Sequence, residues 1–314
     1  MTLPKHWPSA AGLVVGYLAD RLVGDPARGH PVAGFGAAAS WLEARWYADR
    51  RTVGMVHTAA LVGTALGVGA ALERLNSRRQ WATVLTTAAA TWVVLGGRSL
   101  SREAATVAGQ LADGRLTAAR GQVRHLVGRD TAELSPEDVA RATVESVAEN
   151  ASDAIVAPLL WGAVAGLPGL LGYRAVNTLD AMTGHRSARY RRFGWAAARL
   201  DDLANWVPAR LAALGAATWA PLVGGTAKTA MAVVRRDARR HPSPNAGVVE
   251  AAFAGALEVR LGGQNAYHGI VEDRGTLGNG RPVAVADIGR ACHLAAAVSL
   301  SALAAAVLIR GLRP

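Results

Sequence analysis

The 314-residue sequence has few charged residues and a single cysteine. Asp, Glu, Lys and Arg make up 18% of it, whereas an average soluble domain carries about 25%. The lone Cys292 excludes an internal disulfide framework and a zinc site built from several cysteines. The sequence also lacks a GxxxxGK(S/T) loop, a GxGxxG motif after a strand and an HExxH motif, so a nucleotide or a zinc ion is not bound through any of these.

Apolar residues are abundant instead, at 51%, and they are grouped in windows without charge. Five such windows reach the lower limit of about 17 residues for crossing a bilayer as a helix. They are Val53–Leu72, Trp81–Gly97, Ala154–Tyr173, Leu211–Ala227 and Ala291–Ile309. No alternating strand pattern persists. We therefore predict an all-α, multi-pass integral membrane protein, a single domain over residues 1–314, with polar and partly helical loops. A soluble, alanine-rich helical bundle is the alternative.

The formal net charge of +11 comes mostly from short arginine clusters. Examples are Arg189–Arg192, Arg235–Arg236 and Arg239–Arg240. Arginine beside apolar spans is typical of the cytoplasmic loops of membrane proteins. No lysine-rich tail or basic helix interleaved with aromatic residues is present, so we expect the lipid bilayer as a partner and no nucleic acid.

Three acids at intervals of four form the first candidate site. Ser135 and Pro136 predict the start of a helix that continues to about Ser152. On such a helix Glu145, Glu149 and Asp153 lie on one stripe, where like charges repel. A bound Mg²⁺ or facing arginines would compensate for that repulsion. The alternative is a solvated helix face balanced by arginine.

A second group of polar residues surrounds an arginine run. Its possible oxygen ligands are Asn177, Asp180, Asp201 and Asp202, and its possible phosphate-binding residues are Arg186, Arg189 and Arg199. Arginine holds phosphate or carboxylate with two parallel hydrogen bonds. The alternative for the arginine run is a contact with anionic lipid.

Two turn-rich segments, 241–247 and 262–269, form the third candidate region. Gly and Pro are too frequent there for helix interiors, so we predict loops that could surround a ligand. Asn245 and Asn265 are candidate binding residues, and His241 or His268 is a candidate for proton transfer.

The order of these motifs resembles a known family. The matching blocks are Gly24-Asp25-Pro26, His30-Pro31-Val32, Arg129-Asp130-Thr131, Glu145–Asp153 running into Val156-Ala157-Pro158-Leu159, Asn177–Asp180, Phe193-Gly194-Trp195, Arg199–Asn205, Pro208-Ala209-Arg210, Ser243–Gly247, Glu250-Ala251-Ala252, Ala254–Leu257 and Leu261-Gly262-Gly263. Together they are similar to the adenosylcobinamide-phosphate synthase family, also called the CobD/CbiB family, over about residues 13 to 290. Small departures at Ala154, Ala181, His185 and Val248-Val249 leave the candidate ligands in place.

The resemblance implies a multi-pass membrane enzyme of cobalamin biosynthesis. It implies amide-bond formation between the free propionate of adenosylcobyric acid and (R)-1-amino-2-propanol or its O-phosphate, with ATP and Mg²⁺. Association with other corrinoid-pathway enzymes and an active site on the cytoplasmic face of the cell membrane are further expectations.

We assign the roles of individual residues from their chemistry. The expected metal ligands are Glu145, Glu149, Asp153, Asp201 and Asp202, and the expected phosphate-binding residues are Arg129, Arg186, Arg189 and Arg199. The remaining substrate-binding candidates are Asn177, Asp180, Asn245 and Asn265, with His241 and His268 as catalytic candidates.

Two other functions compete with the synthase reading. One is a membrane Mg²⁺-dependent prenyl- or alcohol-phosphotransferase, and the other is a transporter or an assembly factor. The five windows also raise a difficulty, because full crossings would place residues 174–210 on the opposite side from the other polar segments. Pro158 and Pro168-Gly169 predict a broken helix in the third window, which would remove the difficulty.

Overall fold

The structure is a computed structural model that describes residues 6–26, 29–185, 187–267 and 270–313. Within these ranges most residues are helical, which confirms the predicted all-α class. The helices are α1 (Trp7–Val23), α2 (Pro31–Trp46), α3 (Arg51–Asn76), α4 (Gln80–Val94), α5 (Gly97–Ala112), α6 (Leu116–Val123), α7 (Pro136–Ala151), α8 (Ala157–Thr183), α9 (Tyr190–Phe193), α10 (Trp195–Ala204), α11 (Trp206–Trp219), α12 (Ala227–Asp237), α13 (Ala246–Leu257) and α14 (Val285–Gly311). A π-helical turn, Ser152–Val156, joins α7 to α8.

Within the described part of the chain, three helical segments are long and apolar enough to cross a membrane: α3, the stretch Pro136–Thr183 and α14. They contain three of the five windows identified in the sequence. The other two windows lie on shorter helices, since α4 has 15 residues and α11 has 14. At about 1.5 Å per residue, these two helices span only about 20–23 Å.

The chain divides into two compact units. The first contains Met1–Gly96, Ala157–Asn205 and Leu303–Pro314, and the second contains Gly97–Val156 and Trp206–Ala302. The expectation of a single domain over residues 1–314 stays a prediction.

In the first unit, α1 packs closely against α4 through two glycines four residues apart. A Cβ atom on Gly12 would lie 2.5 Å from Thr87 Cβ, and one on Gly16 would lie 2.5 Å from Thr91 Cβ. Small residues at this spacing let two helix backbones approach, which is a common mode of packing between helices in membranes.

The first unit also contains a reversal of the chain within α8. Gly166 has φ 64° and ψ −145°, and Pro168 follows it. A Cβ atom on Gly169 would lie 2.1 Å from the Trp161 carbonyl oxygen, although residues eight positions apart in a straight helix are separated by about 12 Å. The window Ala154–Tyr173 therefore contains a helical hairpin rather than one straight crossing, as its prolines predicted.

In the second unit, α7 begins where the sequence predicted. The Ser135 side chain accepts a hydrogen bond from the Asp138 backbone N–H, and Asp138 caps the Ser135 backbone in return. Pro136 occupies the first turn, where its missing N–H is not needed. The helix buries most of one face, including Glu145.

Helix α13 lies in the core of the second unit. Every one of its residues except Val248 is buried, and most are alanine, glycine or another small apolar residue. Its single charged residue is Glu250, which is 2% exposed.

A β-hairpin follows α13 and is the main feature that the sequence analysis missed. Strand β1 (Leu261–Tyr267) pairs antiparallel with β2 (Ile270–Leu277), with a bulge between Gly262 and Gln264. Gly262 and Gly263 both have positive φ values. The bulge interrupts the two-residue alternation by which strands are identified, which explains why the pattern was not seen.

Candidate functional site

The candidate site lies in the second unit and is built around a buried ion pair. Arg129 Nη2 donates to Glu145 Oε2 at 2.5 Å, and Arg129 Nη1 donates to Asn265 Oδ1 at 2.8 Å. Glu145 Oε1 accepts from the Gly262 backbone N–H at 2.7 Å and from Arg141 Nη1 at 3.2 Å. A buried charge is tolerated only when it is paired and hydrogen-bonded. These bonds therefore fix β1 against α7 and the segment before it.

A small cavity of about 90 Å³ opens beside this network. Its charged lining residues are Arg129, Glu145, Glu149, Glu250 and Arg274, and the rest of the wall comes from 126–128 and Ser146. Two guanidinium groups and three carboxyl groups thus face a space of roughly three water volumes. Such a space holds small polar groups or an ion, but not a nucleotide or a corrinoid ring.

His241 lies next to Glu250 at this site. Its imidazole Nε2 is 3.7 Å from Glu250 Oε1, and its Nδ1 accepts the Ser243 backbone N–H at 3.0 Å. Nδ1 also lies 3.3 Å from the Ser243 carbonyl oxygen. We assign the ring proton to Nε2, because the contact with the Ser243 N–H group is the shorter one and the backbone fixes its direction. The Nε2–H group is then too far from Glu250 Oε1 for a hydrogen bond.

Burial shifts the acid–base properties of both groups. The pKa of Glu250 is raised well above its ordinary value, first by burial and then by the negative charges of Glu145 and Glu149. Burial, followed by the positive charge of Arg274, lowers the pKa of His241 to about 4. At neutral pH the imidazole is therefore uncharged. Glu250 is a stronger base than an exposed carboxylate, because its protonated form is favoured.

The cavity offers few protein ligands for Mg²⁺. Among the residues that the structure describes, no group of three or more His, Cys, Asp or Glu is placed to hold a metal ion. Mg²⁺ needs only one or two protein carboxylates when phosphate and water supply its other ligands. The Glu145 oxygens already accept hydrogen bonds from two guanidinium groups and one backbone N–H. Glu149 is the lining carboxyl group that fits the ion, which leaves Glu250 for proton transfer.

The sequence analysis missed two of the cavity's charged residues. Glu250 occurs among the motifs that resemble the family but was given no role, and Arg274 belongs to none of the predicted sites. The signal for Glu250 is its position as the one acid in an otherwise apolar 12-residue helix. Arg274 has no comparable signal, because only the pairing of β2 with β1 brings it to the cavity.

Two other predicted residues of the second unit are not part of this cavity's lining. Asp153 falls within the π-helical turn, which breaks the α-helical stripe that would have aligned it with Glu149. Asn245 precedes α13, and its Oδ1 accepts a hydrogen bond from Arg210 at 3.0 Å.

Two of the arginines predicted in the first unit form ion pairs with acids of the same unit. Arg189 donates to the buried Glu43 at 2.8 Å, and its guanidinium lies 4.1 Å from the centre of the Tyr47 ring. Arg199 lies 3.5 Å from Asp202 in an ion pair one turn apart on α10.

The other candidates of this unit lie on α8 and α10. Asp201 accepts a hydrogen bond from Asn205 at 3.0 Å, while Asn177 and Asp180 lie near the end of α8. Their predicted ligand roles stay predictions. Two further candidates, Arg186 and His268, lie outside the described residues.

Comparisons with known proteins agree with the motif order. The sequence profile of the CobD/CbiB protein family matches residues 13–295. The chain therefore belongs to the CobD/CbiB family. It is 53% identical over 300 residues to the cobalamin biosynthesis protein CobD of Mycobacterium tuberculosis, covering 96% of this chain and 95% of that relative. No solved structure matches it.

More distant members of the family cover the chain similarly. The cobalamin biosynthesis protein CobD of Rhodobacter capsulatus is 46% identical over 273 residues, covering 85% of this chain and 84% of the relative. The corresponding protein of Chromobacterium violaceum is 43% identical over 317 residues, and the alignment covers 96% of this chain and 98% of that relative. The chain is thus an enzyme of cobalamin biosynthesis.

Proposed function

We propose that this enzyme joins (R)-1-amino-2-propanol, or its O-phosphate, to the free propionate carboxyl of (adenosyl)cobyric acid through an amide bond. The products are (adenosyl)cobinamide or its phosphate. One observation carries the proposal: a single small cavity presents both guanidinium groups and carboxyl groups. These are the counter-charges of the two reacting groups, a carboxylate and an ammonium.

A carboxylate does not condense with an amine unaided in water, so the reaction needs an activated acyl group. ATP is the proposed phosphoryl donor that forms an acyl phosphate, and Mg²⁺, held by Glu149, would neutralise phosphate charge when bound. The lining of the cavity supports a site where only the reacting ends of the substrates enter, while the corrinoid ring stays outside.

The residues of the cavity then have distinct roles. Arg129 and Arg274 hold the oxygens of the activated carboxyl group. The ammonium first loses one proton, and the amine nitrogen then attacks the acyl carbon. The new C–N bond forms, the C–O bond to phosphate breaks with its electron pair leaving on phosphate, and the phosphate takes the second proton from nitrogen. The first ammonium proton passes to a Glu250 oxygen. His241 is uncharged at neutral pH, since its pKa is about 4, and it is proposed as a hydrogen-bond donor to the substrate rather than as the base.

The location of the enzyme follows from its substrates. We propose the cell membrane, with the cavity accessible from the cytoplasm, because ATP and the corrinoid intermediates are cytoplasmic. The lipid bilayer and the small-molecule substrates are the proposed partners, together with other enzymes of the corrinoid pathway.

The test is a direct synthesis assay on the full-length, detergent-solubilised protein. Adenosylcobyric acid, ATP, Mg²⁺ and either amine are supplied, and the corrinoid is followed by mass spectrometry. The expected product is heavier than the substrate by the amine less one water, and it forms only with ATP. Absence of that product from a folded protein would overturn the proposal.

A matched pair of variants tests the cavity itself. Glu250→Gln removes the proton acceptor while keeping its shape, and we expect turnover to fall by about a hundredfold or more. Glu137→Gln changes an exposed acid in the first turn of α7 and is expected to keep full activity. Equal turnover in the two variants would exclude Glu250 from proton transfer.

A further inference from the structure

Some buried donor groups near the cavity have no acceptor among the described residues. Arg129 Nε, His241 Nε2 and Asn265 Nδ2 are examples. The three residues are 6%, 5% and 4% exposed, so water does not reach them freely. A buried N–H group left without an acceptor is unfavourable and uncommon in native proteins. Their common feature is that all of them donate, which indicates a missing acceptor.

Arg129 provides the strongest of these donors. A guanidinium has five N–H groups, and in Arg129 one bond goes to Glu145 and one to Asn265. Its Nε–H remains without an acceptor while the residue lines the cavity. An arginine edge with free N–H groups binds the two oxygens of a carboxylate or phosphoryl group in parallel.

Arg274 brings a second guanidinium to the same wall from β2. Its charge is felt by both neighbours, since it lowers the pKa of His241 and opposes the rise at Glu250. The Glu145 carboxylate lies within ion-pair distance of both Arg129 and Arg141, so its single negative charge faces two cations.

We infer that the free edge of Arg129, together with Arg274 and the His241 Nε2–H group, forms an anion subsite for one carboxylate or phosphoryl group of the substrate. This inference rests on the proposed function and deepens it, because it assigns the acyl side of the reaction to one wall of the cavity. Glu250, on the same cavity, is left to face the ammonium of the amine. The subsite therefore binds its anion more tightly when a small amine is present.

The experiment is a binding titration that does not depend on turnover. The full-length protein in lipid nanodiscs is titrated by calorimetry with inorganic phosphate and, separately, with propionate, each with and without 1-amino-2-propanol. Binding of phosphate alone would identify a phosphoryl group as the ligand, and binding of propionate alone would identify a carboxylate. The inference is wrong if neither anion binds the wild-type protein under either condition.

Two arginines on the same hairpin region provide the variant and its control. Arg274→Gln is expected to weaken anion binding about tenfold or more, because a charge-assisted hydrogen bond is lost. Arg260→Gln, at an exposed position just before β1, is expected to leave binding unchanged. Arg129→Lys, which keeps the charge but loses the paired donors, is expected to weaken binding as well. Equal affinity in wild type and Arg274→Gln would overturn the subsite.

The synthesis assay separates this inference from the proposed function. If product forms and Arg274→Gln leaves the KM for adenosylcobyric acid unchanged, the subsite is wrong and the reaction stands. If the anions bind, lose affinity in Arg274→Gln and yet no product forms, the subsite stands and the proposed reaction is wrong.

Discussion

Replacing Glu145 with glutamine distinguishes a structural role of this residue from a metal-binding role. The substitution keeps the side-chain shape but removes the charge that faces Arg129 at 2.5 Å and Arg141 at 3.2 Å. The new amide nitrogen would also be a donor directed at a donor. In the wild type the Arg129 and Glu145 side chains are 3% and 4% exposed, so the guanidinium cannot turn to water without local rearrangement.

The expected loss of stability is large. Removing one partner of a buried ion pair costs roughly 3–5 kcal/mol, because the other charge stays buried without its counter-charge. In a unit of this size, such a loss lowers the unfolding midpoint by about 10 °C. The measurement is thermal unfolding in detergent by tryptophan fluorescence, without Mg²⁺, with Glu137→Gln as the exposed control on the same helix.

The double variant Arg129→Gln/Glu145→Gln completes the test. We expect it to lose less stability than the two single variants together, by about 0.5–3 kcal/mol, since neither charge is then left alone. The ion-pair reasoning would be refuted if Glu145→Gln unfolded within about 2 °C of the wild type. Loss of Mg²⁺-dependent activity in such a stable variant would restore Glu145 as a metal ligand.

Three further predictions follow from the structure. The pKa of His241 is lowered to about 4 in the folded protein, so the unfolded chain takes up this proton first as the pH falls. The folded state therefore loses roughly 3 kcal/mol of stability between about pH 6.5 and 4. His241→Gln should flatten that part of the curve of Tm against pH. Gly16→Ala should lower Tm because its Cβ would lie 2.5 Å from Ala88 O, whereas Gly63→Ala on α3 meets nothing within 4 Å and should be neutral or stabilising. Gly166→Ala should unfold more readily than either, because it needs φ 64° and its Cβ would lie 2.2 Å from Glu73 Oε1; a Tm equal to that of Gly63→Ala would contradict the helical reversal.

Helical class and several helix boundaries could be predicted because they depend on neighbouring residues. Ser135 and Pro136 start α7 through local hydrogen bonding and a fixed φ angle, and the structure confirms both. The prolines of the third window predicted the broken helix for the same local reason. The hairpin 261–277 was missed because its glycine bulge removes the alternation that identifies a strand.

The candidate site shows where local reasoning ends. A spacing of four placed Glu145 and Glu149 on one helix face, and both line the cavity. The same spacing predicted Asp153 as a third ligand, but the π-helical turn after α7 changes the rotation per residue. A departure of this kind from α-helical geometry is not encoded by residue spacing.

The sequence by itself determined the membrane-type helices, the family and most of the residue types available for chemistry. Helix periodicity, capping and apolar windows are short-range properties, so a linear reading contains them. Only the tertiary structure decided which charges meet: it gave Glu145 to Arg129 and Arg141, and it brought Glu250 and Arg274 to the cavity from α13 and β2. The hydrogen bond between Arg129 and Asn265 joins residues 136 positions apart, and the energy of a buried charge depends on the neighbours that folding places around it.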